Sequence, residues 1–155
     1  MSNNLTVFDA EQEGIAVLKH VLNQRDLDVS VEPTSVQSSY DALVGGRIAF
    51  EIKGRNARHD EYKSWFLERN KLDAIRKVIS EDGPRCIFYF CYFRKSNVAM
   101  AWKLDERIDQ FETCRRKVRA KTASDVSTAY CERRDFILLP ASEATKFTFD
   151  RSLLK

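Results

Sequence analysis

Between Arg47 and Lys53 the chain alternates strictly: Ile48, Phe50 and Ile52 on one side, Arg47, Ala49, Glu51 and Lys53 on the other. A period of two marks a strand whose faces meet different surroundings. Just upstream, Tyr40-Asp41-Ala42-Leu43-Val44 is a second short apolar strand, joined to the first through Gly45-Gly46. The pair reads as a hairpin. Asp41 lies on its first strand, and Glu51 and Lys53 share the polar face of its second. An Asp and a Glu brought together on a sheet make a hard-oxygen site for a divalent cation. Lys53 adds a positive group beside it. These are the parts needed to cut a phosphodiester with water activated by a metal.

The turn decides whether the two carboxylates meet. A two-residue turn at Gly45-Gly46 pairs Val44 with Arg47 and Asp41 with Phe50, which turns Asp41 away from Glu51. A three-residue loop, Val44-Gly45-Gly46, pairs Asp41 with Ala49 and sets Asp41 diagonally beside Glu51. Loops of that kind need a residue with positive φ, which glycine supplies. The wider loop is expected.

Asp41 followed by Glu51-Ile52-Lys53 resembles the PD-(D/E)xK nuclease superfamily, which includes restriction endonucleases, Holliday-junction resolvases and several phage nucleases. Tyr40 stands where the family's proline would be, but a metal site needs the carboxylate and not the ring. The resemblance implies an α/β fold: a central mixed β-sheet flanked by helices, with a restriction endonuclease-like core of helix, three-strand meander, helix and further strands. The sequence follows that order over most of its length, as one nuclease-like domain over residues 1–155. It implies a magnesium-dependent nuclease acting on DNA, duplex or branched, with manganese able to substitute. Asp41, Glu51 and the backbone carbonyl of Ile52 would hold the metal. Lys53 would orient the attacking water or stabilise the pentacovalent state.

Asp9 to Gln24 reads as an amphipathic helix with Ile15, Val17, Leu18, Val21 and Leu22 on its apolar face. Glu11 falls on that face and Glu13 toward the polar edge. A carboxylate on a core-facing stripe is costly unless it is paired or meets a metal. Many superfamily members carry a glutamate on this helix, which makes Glu11 a candidate further ligand. The alternative is that Glu11 complements the helix dipole from the first turn. Leu27 to Thr34 alternates as a half-buried strand. Tyr62 to Ser80 reads as the second helix, stopped by Gly83-Pro84, with Lys71 near the middle of its apolar face. A lysine there fits if its stem packs while its ammonium reaches an acid. The run Tyr62 to Lys71 resembles a segment of small superfamily nucleases in which a second lysine follows on the next helix, so Lys71 is assigned an assisting role.

Arg85 to Phe93 is almost continuously apolar and aromatic, as for a strand buried on both faces. Val98 to Leu104 is its partner, with Trp102 in the core. Asp105 to Thr122 is charged, with Ile108 and Phe111 as anchors, and Asp135 to Pro140 is a last short strand. Arg55 and Arg58, in a charged loop after Lys53, are candidates for phosphate contact, as is Lys63. The densest basic run, Cys114 to Lys121, adds Arg115, Arg116, Lys117 and Arg119 as candidate nucleic-acid contacts.

A net charge of +3 excludes a uniformly polycationic chain, so any basic surface is local. The four cysteines lack Cys-x-x-Cys spacing, which argues against a zinc site and for reduced thiols in a cytoplasmic protein. No signal sequence and no apolar run long enough for a bilayer is visible, so no membrane partner is expected. The small binding surface of one domain makes a homodimer plausible. Two other readings compete. In one, the chain is a catalytically inactive nuclease-fold module that binds nucleic acid or a protein partner. In the other, Glu51 and Lys53 form only a structural ion pair.

Overall fold

The computed structural model describes residues 7–25, 29–35, 38–119 and 131–154. Helix α1 (Val7–Gln24) precedes an antiparallel meander of β1 (Val31–Pro33), β2 (Ala42–Val44) and β3 (Ile48–Arg55). Strand β4 (Ser64–Glu68) and helix α2 (Arg69–Arg76) then lead to β5 (Cys86–Phe93), which pairs with β3 in parallel. Strands β6 (Val98–Lys103), β7 (Thr113–Arg119), β8 (Cys131–Pro140) and β9 (Thr145–Thr148) follow. The protein is α/β: among the described residues it has two α-helices, a six-strand mixed sheet ordered β1-β2-β3-β5-β6-β9 and a three-strand antiparallel sheet ordered β4-β8-β7.

Each face of the larger sheet has its own core. On one, Val17, Leu18 and Val21 of α1 pack against Phe50, Phe90, Tyr92 and Ala99. On the other, Leu72 and Ile75 of α2, Trp65 and Leu67 of β4, and Ile137 and Leu139 of β8 pack against Ala49, Ile87, Cys91 and Phe93. Strand β5 feeds both cores with alternate residues, which is why its sequence is apolar without interruption. Trp102 is buried, with its indole N–H donating to the Pro140 carbonyl at 2.8 Å.

Several boundaries differ from the sequence expectation. Residues 62–80 are not one helix. Ser64 to Glu68 is a strand that buries Trp65 and Leu67 and turns Ser64, Phe66 and Glu68 outward, and only Arg69 to Arg76 is helical. Leu67, Leu72 and Ile75 do line up at helical spacing, but the aromatic pair Trp65-Phe66 favours a pleated surface, and pairing with β8 decides the outcome. The expected strand at Leu27–Thr34 is reduced to Val31–Pro33, with residues 26–28 outside the described residues. The charged stretch from Asp105 becomes a short 3-10 turn, Glu106–Gln110, anchored by buried Ile108, and then β7. Strand β8 begins four residues before the expected Asp135, and β9 was not foreseen. Residues 120–130 lie outside the described residues.

Helix α1 lies close enough to β3 that Gly14 has no room for a side chain. A Cβ built there would stand 2.8 Å from Ile52 Cγ2. Ile52 is β-branched and cannot easily swing aside. Gly14→Ala therefore sets a gain in helix propensity of about 1 kcal/mol against overpacking of about 1–3 kcal/mol. The expected outcome is a net loss of stability, read as a lower urea midpoint. A rise in midpoint would show that α1 can move off the sheet without cost.

Candidate functional site

The hairpin between β2 and β3 places the two carboxylates. Gly45 and Gly46 adopt φ of 59° and 70°, values that favour glycine. Arg47 N–H donates to Val44 O at 3.2 Å, and the ladder resumes with Val44 opposite Ile48. The loop thus has three residues, as expected, but they are Gly45-Gly46-Arg47 rather than Val44-Gly45-Gly46. Ala42 consequently pairs with Phe50 instead of Ile48.

Asp41 lies one residue before β2. Its N–H donates to Phe50 O at 2.9 Å, although Phe50 is the partner of Ala42. Two residues of one strand against one of the other is the pattern of a β-bulge, which re-aims a side chain. The re-aimed Asp41 Oδ2 accepts from Ile52 N–H at 2.7 Å, and the Asp41 carboxylate interacts with that of Glu51. The two acids therefore meet on one face of the sheet, the face toward α2.

Glu51 is buried, and its two oxygens have different company. Oε1 accepts from the Lys71 ammonium of α2 at 2.9 Å. Oε2 is buried without a hydrogen-bond donor. The neighbouring Asp41 carboxylate brings only further acceptors to Glu51, so a proton or a cation between the two carboxylates is needed for the contact to be favourable. Burial, and next the charge of Asp41, raise the Glu51 pKa from 4.5 to about 7, with the Lys71 bond pulling the other way. For Lys71, burial lowers the pKa, but the hydrogen bond and charge of Glu51 outweigh it and the net shift is upward. Lys53 follows Glu51 by two positions on the same face and is exposed.

Other residues singled out in the sequence take different places. Glu11 is exposed, and the glutamate on the core-facing stripe of α1 is Glu13, fully buried and ion-paired to Arg94. The helix begins at Val7 and its packing is centred on Gly14, Val17 and Leu18, which turns Glu13 inward instead of Glu11. Because α1 covers the opposite face of the sheet from Glu51, neither glutamate joins the pair. Among the described residues no three His, Cys, Asp or Glu side chains converge, so the acidic set here is Asp41 and Glu51. Lys71 meets Glu51 as foreseen, but from the first turn of a shorter helix and with a half-exposed side chain.

Arg55 is not a free phosphate contact. It is half-buried, bonds Phe66 O at 2.9 Å and Tyr89 Oη at 3.2 Å, and lies over the Trp65 ring. Its role is to tie β4 to β3. Arg58 is exposed and pairs with Asp60, and Lys63 is exposed. The loop carrying Arg58 is anchored on the β5–β6 turn, through Lys95 N–H to Ala57 O at 3.2 Å and His59 N–H to Ser96 Oγ at 3.0 Å. Arg115, Arg116 and Lys117 lie exposed on β7, and Arg119 ends that strand. Comparison of the chain with protein-family models, curated proteins and solved structures gave no match.

The Glu51 shift has a consequence for folding. Unfolded, Glu51 ionises near 4.5, and folded it keeps its proton up to about 7. The native state binds more protons between those values, so the contribution of Glu51 to stability is full below about 4.5 and is lost as pH rises through 7. The full span is worth on the order of 3 kcal/mol. Glu51→Gln cannot ionise, so its stability relative to wild type should be higher at pH 8 than at pH 5, by urea unfolding in EDTA. An equal difference at the two pH values would mean that Glu51 titrates as an ordinary surface carboxylate.

Proposed function

We propose that this chain is a divalent-metal-dependent nuclease of the PD-(D/E)xK type, hydrolysing DNA at a site formed by Asp41, Glu51, Lys53 and Lys71. The observation that carries the reading is the buried Glu51 carboxylate, which has one oxygen without a donor and interacts with the carboxylate of Asp41. A buried acceptor facing a second acceptor fits a cation. Two carboxylates suit magnesium, which keeps several of its waters, and manganese would substitute. The element order, α1 then the β1-β2-β3 meander then α2 and a strand parallel to β3, is compatible with a restriction endonuclease-like core, with β4 inserted before the second helix.

Asp41, Glu51 and the Ile52 carbonyl would hold the metal. Once bound, it would supply Lewis acidity, lowering the pKa of a water and neutralising charge on the phosphate. The bond from Ile52 N–H fixes the orientation of the Asp41 carboxylate before any ligand arrives. Lys53, exposed on the same face, would meet a phosphate oxygen and stabilise the charge that develops there. Lys71 holds Glu51 Oε1 and leaves Oε2 as the oxygen offered for ligation.

A second reading, a nuclease-fold module that binds without turnover, draws support from one feature. The Lys71 ammonium already acts as a cation toward Glu51, and among the described residues no third acid joins the pair.

One experiment separates the two. Supercoiled plasmid, linear duplex, single strands and branched junctions are incubated with the protein in magnesium, manganese or EDTA. Cleavage is expected with either metal and absent in EDTA, and the Asp41→Ala/Lys53→Ala double variant should lose at least about 100-fold in rate. Cleavage that survives both substitutions would rule out the proposed mechanism. No cleavage of any substrate, with no rise in melting temperature on adding magnesium, would favour the binding module.

A further inference from the structure

Strands β7 and β8 run together beyond the rest of their sheet. Strand β4 pairs with β8 only from Phe136 to Pro140, so Cys131 to Asp135 have β7 as their single strand neighbour. At roughly 3.4 Å per residue this two-stranded ribbon extends about 17 Å past the three-strand part. Residues 113–119 and 131–135 hold six Lys and Arg against two Asp and Glu, a net +4, which exceeds the +3 of the whole chain.

The register concentrates that charge. Arg116 lies opposite Arg134, and Lys117 opposite Arg133. Like charges directly opposed on adjacent strands are destabilising, and here two such pairs are consecutive. On one face the strain is partly relieved, with Arg116 over the Phe66 ring and Arg134 bonded to Glu68 at 3.1 Å. On the other face Arg115, Lys117 and Arg133 are all exposed, and the register sets Asp135 on that face, held by Arg115 at 3.4 Å.

We propose that the β7–β8 ribbon is a docking arm for duplex DNA, with Arg115, Lys117 and Arg133 meeting backbone phosphates. This deepens the nuclease reading and rests on it for the choice of DNA. A polyanion relieves the opposed Lys117–Arg133 pair, and the arginine fork matches phosphate oxygens. A two-stranded ribbon is also narrow enough for the major groove, which is about 12 Å wide. Among the residues whose exposure is described, the exposed large hydrophobic ones, Val29, Tyr62 and Ile79, are not part of β7 or β8. A membrane-inserting surface would need such residues on it, so nucleic acid fits better than a lipid surface. The three-strand sheet that carries the ribbon packs on the same face of the larger sheet as Glu51 and Lys53, so the arm and the acidic pair lie on one side of the molecule.

The test is fluorescence anisotropy of a labelled duplex in EDTA, over a series of KCl concentrations. The proteins compared are wild type, the ribbon triple variant Arg115→Gln/Lys117→Gln/Arg133→Gln, and a control triple, Lys19→Gln/Lys103→Gln/Lys146→Gln, which removes the same charge elsewhere. Melting curves check that each is folded. The ribbon variant should bind at least 10-fold more weakly at 100 mM KCl, and its plot of log affinity against log salt should be shallower by about 2 to 3, since each neutralised phosphate contributes about 0.9. The control should bind nearly as wild type. Equal losses in both triples, no loss in the ribbon triple, or no duplex binding by wild type would overturn the proposal. Binding in EDTA does not depend on turnover. Ribbon-dependent binding without any cleavage would remove the nuclease reading alone, and cleavage undiminished in the ribbon triple would remove the arm alone.

Discussion

The two faces of β3 serve different partners, and the rest of the molecule depends on keeping them apart. Phe50 and Ile52 belong to the core under α1, while Ala49 and Glu51 face α2. A slip of one residue in the pairing with β2 would exchange the two sets, burying Lys53 under α1 and exposing Phe50. Gly45 and Gly46 hold the hairpin in register through their left-handed conformations. On the other side β3 is locked by eight successive pairings with β5, from Ile48–Cys86 to Arg55–Phe93. The meeting of Asp41 and Glu51 is a consequence of that locking and not of any attraction between two like charges.

A buried acid lies against each face of the sheet, and the two are treated differently. Glu13, on α1, has Arg94 as its partner, which joins the helix to the end of β5. An ion pair of this kind offsets the cost of taking a carboxylate out of water, and removing either member leaves an uncompensated charge. Glu51 is only half satisfied, with Lys71 on one oxygen and no donor on the other. A half-satisfied buried acid is a cost to folding. Such costs persist at places where a structure is arranged for something other than its own stability.

How far the sequence reveals this follows from which interactions are local. The alternation of Arg47 to Lys53 and the glycine pair carry their information within a few residues, so the hairpin, the shared face of Glu51 and Lys53, and the meeting of that face by Asp41 are legible. The identity of the loop residues was not, because a glycine pair is compatible with more than one three-residue loop. Strand β4 was hidden because Leu67, Leu72 and Ile75 imitate a helix stripe, whereas the strand forms by pairing with β8 some seventy residues later in the chain. The phase of α1 was misjudged by two residues, and that exchanged Glu11 for Glu13. The signal that could have found it is Gly14, whose missing side chain marks the point of closest approach to the sheet. The basic run of β7 was visible as charge, but Arg133 and Arg134 become its neighbours only through strand pairing.

The parallel pairing of β3 with β5 bears on the order in which the molecule can be built. The connection between them spans residues 56–85 and contains both β4 and α2. Strand β4 completes its pairing only with β8, far downstream in the chain. Long-range pairing of this kind slows folding, because the loops must close before any contact rewards them. Asp41 and Glu51 are neighbours within a hairpin and can meet early, while Lys71 arrives from inside the crossover. Closing the hairpin therefore costs less loop entropy than bringing the ammonium to it.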